Sequence, residues 1–72
     1  MQNVTFELTG EFVALNDLLK LAGLVDSGGA GKVMVASGAV SVDGRQETRK
    51  TCKIRAGQTV SVDGVRIRVK AA

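Results

Sequence analysis

Ser27-Gly28-Gly29-Ala30-Gly31-Lys32-Val33-Met34-Val35-Ala36-Ser37-Gly38-Ala39-Val40-Ser41-Val42-Asp43-Gly44 contains the change of period on which the fold turns. Ser27 has the side chain of an N-cap, because its hydroxyl can accept from the free N–H groups two or three residues on. Ala30, Val33, Met34 and Ser37 follow at helical spacing. Gly38 stands where a helix closes on a left-handed residue. From Ala39 the period is two: Val40 and Val42 flank Ser41, and Asp43-Gly44 marks a tight hairpin turn. One helix running into a hairpin is therefore expected.

Upstream, Leu15, Leu18, Leu19 and Ala22 fall at i, i+3, i+4 and i+7, one apolar stripe of a short helix that stops at Gly23. Asn16 and Asp17 sit in its first turn, where acceptors and negative charge suit the exposed N–H groups. About four residues separate the two helices, which predicts a compact helical hairpin. Before them, Val4, Phe6 and Leu8 alternate with polar residues as a half-buried strand. Downstream, residues 46–50 are polar and irregular. An extended segment is expected over residues 49–55, with Cys52 and Ile54 turned to the core and Arg49, Lys53 and Arg55 turned away. Val60 and Val62 form a further strand, Asp63-Gly64 turns the chain, and Val65, Ile67 and Val69 return with Arg66 and Arg68 outward. Strand, two helices, then several short strands predict an α+β fold with both helices on one face of a small sheet.

The 72 residues make one domain spanning 1–72, with no linker, internal repeat or low-complexity tract. A chain of this size has a small core and no room for a large substrate cavity. One cysteine, Cys52, cannot form an internal disulfide, and small secreted domains usually carry several, so a cytoplasmic protein is expected. Residues 1–7 lack the pattern of an export signal, and no apolar stretch is long enough to span a membrane.

Net charge is +3, and its distribution is uneven. Residues 45–55 hold Arg45, Arg49, Lys50, Lys53 and Arg55 against one acid, Glu47, while the other 61 residues hold five basic and six acidic side chains. A concentrated basic segment is the electrostatic footprint of nucleic-acid binding. The competing reading is a solvated strand and loop.

Other chemistries are poorly supported. Gly28-Gly29-Ala30-Gly31-Lys32 suggests a phosphate loop, but Asp26 stands where its first glycine belongs and Val33 where a hydroxyl should hold magnesium. What survives is a helix N-terminus rich in glycine, which a backbone phosphate could approach closely, with Lys32 one turn on. Tight helix packing would explain the same glycines. There is no His, one Cys and only scattered carboxylates, so no metal or other cofactor is expected. No hydroxyl or thiol has an evident base, and Cys52 is expected as a small core residue rather than a nucleophile. Phe6 and Phe12, the two aromatics, are both expected in the core. That favours reading of phosphates and shape over capture of splayed bases, as suits structured RNA.

The residues Leu15, Leu18-Leu19, Gly23, Ser27, Lys32, Gly38, Val40, Val42, Gly44, Ile54, Gly57 and Val60 resemble, in type and spacing, the alpha-L RNA-binding motif. This is the domain named after the fourth protein of the small ribosomal subunit, here over residues 12–62. Val42-Asp43-Gly44, Glu47-Thr48-Arg49-Lys50, Cys52-Lys53-Ile54 and Gly57-Gln58-Thr59-Val60 are closer still to its small stand-alone bacterial YbcJ-type members. The resemblance implies two packed helices on a small curved, mostly antiparallel sheet, and binding of structured RNA such as ribosomal or transfer RNA. It implies a pocket between helices and hairpin. The chain departs from the wider family at Ala14 and Gly28, where arginine is common, at Asp43, where asparagine is usual, and at Gln58, where an acid often follows the glycine.

The expectation is a monomeric, non-enzymatic RNA-binding module with no small-molecule substrate and no membrane partner. Lys32, Arg45, Arg49, Lys50 and Lys53 are the expected phosphate contacts. Lys20 and Arg55 extend the patch, and Ser27, Gly28 and Gly29 offer hydroxyl or backbone N–H groups. The alternative is a small α+β protein-interaction or carrier domain, such as a ribosome-associated adaptor. A ubiquitin-like sulfur carrier would need a C-terminal Gly-Gly, and the chain ends Val69-Lys70-Ala71-Ala72.

Overall fold

A computed structural model describes residues 2–72. The elements run β1 (Gln2–Leu8), β2 (Val13–Ala14), α1 (Leu15–Leu21), α2 (Gly28–Ala36), β3 (Val40–Val42), β4 (Arg45–Gln46), β5 (Lys53–Ile54), β6 (Thr59–Val62) and β7 (Val65–Ala71). Five strands form one sheet in the order β1-β7-β6-β3-β4, and β2 pairs with β5 in a separate two-stranded sheet. The pairings are antiparallel except β1 with β7, where Val4 lies opposite Ile67 in parallel register. The expected α+β architecture, two helices with a mostly antiparallel sheet, is the observed one.

The alternation that predicted the strands also sets the core. Val42, Val60, Ile67 and Val4 lie opposite one another across four strands, and with Val40, Val62, Val69 and Leu8 they meet Leu15, Leu18, Leu19 and Val35 of the helices. Arg66 and Arg68 point to the other side and are exposed. Asp43-Gly44 and Asp63-Gly64 both have positive φ at both residues, the requirement of a tight hairpin turn whose twist matches its strands. Ser27 caps α2, accepting from Ala30 N at 3.1 Å, and α2 ends before Gly38. No helix among the described residues is long and apolar enough to cross a membrane.

Four expectations need correction. First, α2 is rotated from the Ala30–Val33–Met34–Ser37 stripe: Gly31 and Val35 are its buried residues, while Val33 is 71% exposed. A Cβ on Gly31 would lie 2.5 Å from the Asn16 carbonyl oxygen, so the helices cross where one of them has no side chain, and that contact sets the rotation. Six residues, 22–27, separate the helices rather than four.

Second, residues 49–55 are not one extended segment. Cys52 N donates to Arg49 O at 3.2 Å, closing a turn, and only Lys53–Ile54 is strand. Third, Val13–Ala14 is a strand that the pattern did not mark; two residues are too few to show a period. Fourth, Phe12 is not in the core but 43% exposed, while Phe6 is half-buried against the core as expected.

Candidate nucleic-acid interface

The basic turn is held by α1. The first N–H groups of a helix have no partner within it, and here two of them are satisfied by the turn: Leu15 N donates to Cys52 O at 2.8 Å and Asn16 N to Lys50 O at 3.2 Å. The chain therefore leaves strand geometry before Lys53, and Lys50 is exposed. A regular strand would have turned Lys50 inward beside Cys52.

Asn16 joins this turn to α2. Its side chain is buried, and Nδ2 donates to Gly28 O at 3.3 Å. A Cβ on Gly28 would meet Asp17 Oδ1 at 3.3 Å and Asn16 Nδ2 at 3.4 Å. The starts of both helices and the basic turn thus meet at one residue, Asn16, its backbone N–H on the turn and its side-chain amide on α2. Sequence reading assigned Asn16 only a place in the first turn; a polar residue next to the Leu15 stripe position, opposite a Gly-Gly helix start, is the signal that it packs between helices.

Arg45, Arg49 and Lys53 line one shallow groove of about 380 Å³, together with Val42, Asp43, Glu47, Cys52 and Gln58. Arg45 enters it because it lies opposite Val42 on the edge strand β4, on the helix side of the sheet. Lys20 and Lys32 are exposed on α1 and α2. Lys20 lies one turn beyond Asn16 and Lys32 one turn beyond Gly28, so each follows a residue of the helix junction on its own face. Gly29 is exposed and Gly28 half-buried. The Ser27 oxygen is occupied by Ala30 N, which leaves the hydroxyl hydrogen free to donate.

Among the described residues, Arg49 is the cation with a carboxylate partner. Its Nε and Nη2 donate to Glu47 Oε2 and Oε1 at 2.9 and 3.0 Å, and its backbone N donates to Oε2 at 3.0 Å. Those bonds hold the Glu47 carboxyl at about 2, well below the usual range, the guanidinium contributing most. The Arg49 side chain remains 77% exposed, so it can still reach a phosphate, but part of its charge is already matched.

Cys52 is half-buried, packed against the core and not within it. Its thiol donates to Glu47 Oε1 at 3.6 Å. Burial first, then the Glu47 charge, push its pKa up, with Arg49 opposing. Because the thiolate is the nucleophile, Cys52 should react slowly with a maleimide in native buffer and faster in denaturant. Glu47→Gln should speed the native reaction, since it removes an anion and frees the guanidinium. Equal native and denatured rates for the wild type would show the thiol to be unshielded.

The departures at positions 43 and 58 are coupled. Asp43 Oδ1 accepts from Thr59 N at 2.9 Å and Oδ2 from Gln58 Nε2 at 3.2 Å, while Gln58 Oε1 accepts from Arg55 N at 2.8 Å. A carboxylate at position 58 could not donate to Asp43, so the amide and the acid suit each other here.

The S4 domain model matches residues 6–70. The chain belongs to the S4 domain family. It is 56% identical over 59 residues to YbcJ of Escherichia coli strain K12, covering 82% of this chain and 84% of that one, and equally to YbcJ of Shigella flexneri. The solution structure of E. coli YbcJ superposes with a TM-score of 0.69 at 48% identity, over 99% of this chain and 89% of that one, and is described as revealing an alfaL motif involved in RNA binding. The resemblance carried by the turn, helix and hairpin residues is thus the family in fact.

Proposed function

We propose that this S4 domain protein binds structured RNA, of the kind found in ribosomal or transfer RNA, by phosphate contacts and without catalysing a reaction on it. The observation that carries the reading is the groove bringing Arg45, Arg49 and Lys53 together, with Lys50 turned to solvent by the bonds of the adjoining turn to α1. The RNA-binding description of the E. coli relative supports it. Lys20, Lys32 and Arg55 extend the surface, and Ser27, Gly28 and Gly29 offer donors at the helix junction. We take the chain as one cytoplasmic, monomeric RNA-binding unit over residues 1–72, with the motif itself over residues 12–62; a family match over residues 6–70 supports a unit longer than the motif.

The test is a salt titration on a structured RNA. For about four phosphate contacts the log–log slope should be near −3 to −4, so moving from 50 to 200 mM salt weakens binding on the order of a hundredfold. Replacing Arg49, Lys50 and Lys53 with alanine should flatten the slope by about two units, because Arg49 shares its charge with Glu47, and weaken binding to all RNA sequences alike. Exposed substitutions of this kind rarely cost much stability. An unchanged slope, with both proteins folded by circular dichroism, removes the turn from the interface and favours an adaptor held by protein contacts.

A further inference from the structure

Phe12 is a large apolar side chain left 43% exposed immediately before β2. β2 pairs with β5, Val13 opposite Ile54, so Phe12 comes beside Lys53 of β5 and Arg55 just after it. Lys53 Nζ lies 4.9 Å from the ring centroid and the Arg55 guanidinium carbon 5.8 Å from it. Both distances are within the range at which a cation is drawn to an aromatic face. Arg55 Nη1 also donates to Glu11 O at 3.4 Å, which tethers the guanidinium next to the ring. The basic turn therefore has an exposed aromatic at its edge, and Lys53 belongs to both the groove and the ring.

We propose that Phe12, with Lys53 and Arg55, is a stacking site for one unpaired nucleobase of the bound RNA, such as a single-nucleotide bulge. This rests on the RNA-binding reading and adds a specificity that phosphate contacts cannot supply. An exposed phenyl ring has only apolar surface to offer, and among the groups of an RNA only a base presents a matching flat π-face. The guanidinium provides a second planar surface of the same kind. A stacked base brings its own flanking phosphates to Lys53 and Arg55, so the charges that surround the ring would repel a cationic partner and match this one. A plain apolar protein contact would instead bury two cations without a counter-charge, which is unfavourable.

The experiment compares two RNAs with the same stem, one fully paired and one with a single 2-aminopurine bulge, at 50 mM salt. The wild type should bind the bulged RNA about tenfold more tightly, the scale expected for one stacked base, and should change the 2-aminopurine fluorescence on binding. Phe12→Leu should abolish both the preference and the fluorescence change, while keeping the affinity for the paired stem within about twofold. Phe12→Trp should keep the preference. Equal affinity of the wild type for the two RNAs, or equal loss on both RNAs in a folded Phe12→Leu, overturns the stacking site and leaves phosphate binding standing. Binding to neither RNA overturns the RNA reading itself, and the stacking site with it.

Discussion

Ile54→Asp is expected to leave the protein unfolded at 25 °C, with no cooperative transition in a urea titration followed by circular dichroism. Ile54 is fully buried and belongs to the same core cluster as Leu15, Leu18 and Val60. It also pairs with Val13, so one side chain joins the two-stranded sheet to the main core. Removing it forfeits about 1.5–3 kcal/mol of burial. An ionised carboxylate in its place adds a penalty of several kcal/mol, because no cation of the basic turn faces the core. A domain of this length has about 4–11 kcal/mol of total stability, and the two costs together consume most or all of it. Ile54→Val, which deletes one methyl group, should cost about 0.5–1.5 kcal/mol and keep the fold. A wild-type urea midpoint for Ile54→Asp would mean that the strand phase is wrong.

The phase of β6 and β7 was legible in the sequence because Val60 and Val62, and then Val65, Ile67 and Val69, alternate with polar residues as a one-sided sheet requires. The inward turn of Ile54 was instead read from a longer extended segment, of which only Lys53–Ile54 is strand. The two Asp-Gly turns and the Ser27 cap were legible for a related reason: each residue type answers a local backbone demand. The features that escaped depend on contacts between distant segments. The rotation of α2 follows from Gly31 meeting the Asn16 backbone, and small residues carry almost no hydrophobic signal. The exposure of Lys50 follows from bonds to α1 residues 34 and more positions away in the chain. The ion pair that engages Arg49 was visible as Glu47 two residues earlier, yet counting charges recorded only the sum. Phe12 looked like core because apolar type is a one-way guide: many apolar side chains remain in contact with water. The basic segment was therefore found at once, and its geometry, with the aromatic at its edge, needed the folded chain.

Gly31 is where the helix crossing and the candidate interface depend on the same residue. Placing a Cβ there puts it 2.5 Å from Asn16 O and 3.1 Å from both Asn16 C and Cα. All three are backbone atoms, so no flexible side chain can yield and the helices must separate. Helix propensity acts the other way, favouring alanine over glycine by about 1 kcal/mol. The sign at each position is decided by which effect is larger. At Gly29 the nearest atom to an added Cβ is Ser27 Oγ at 3.8 Å, an ordinary contact, so Gly29→Ala should be neutral or stabilising by up to about 1 kcal/mol. At Gly31 overpacking costs typically about 1–3 kcal/mol, so Gly31→Ala should destabilise, and Gly31→Val, bulkier and β-branched, should lose more than about 3 kcal/mol. Separation of the helices also strains the Asn16 bonds, the one to Gly28 O that ties α1 to α2 and, through the same residue, the one to Lys50 O that holds the basic turn. Gly31→Ala should consequently weaken RNA binding beyond the fraction unfolded, measured at a temperature where circular dichroism shows it folded. If instead Gly31→Ala is as stable as Gly29→Ala, the helices have slack at their crossing and Asn16 does not link packing to the interface.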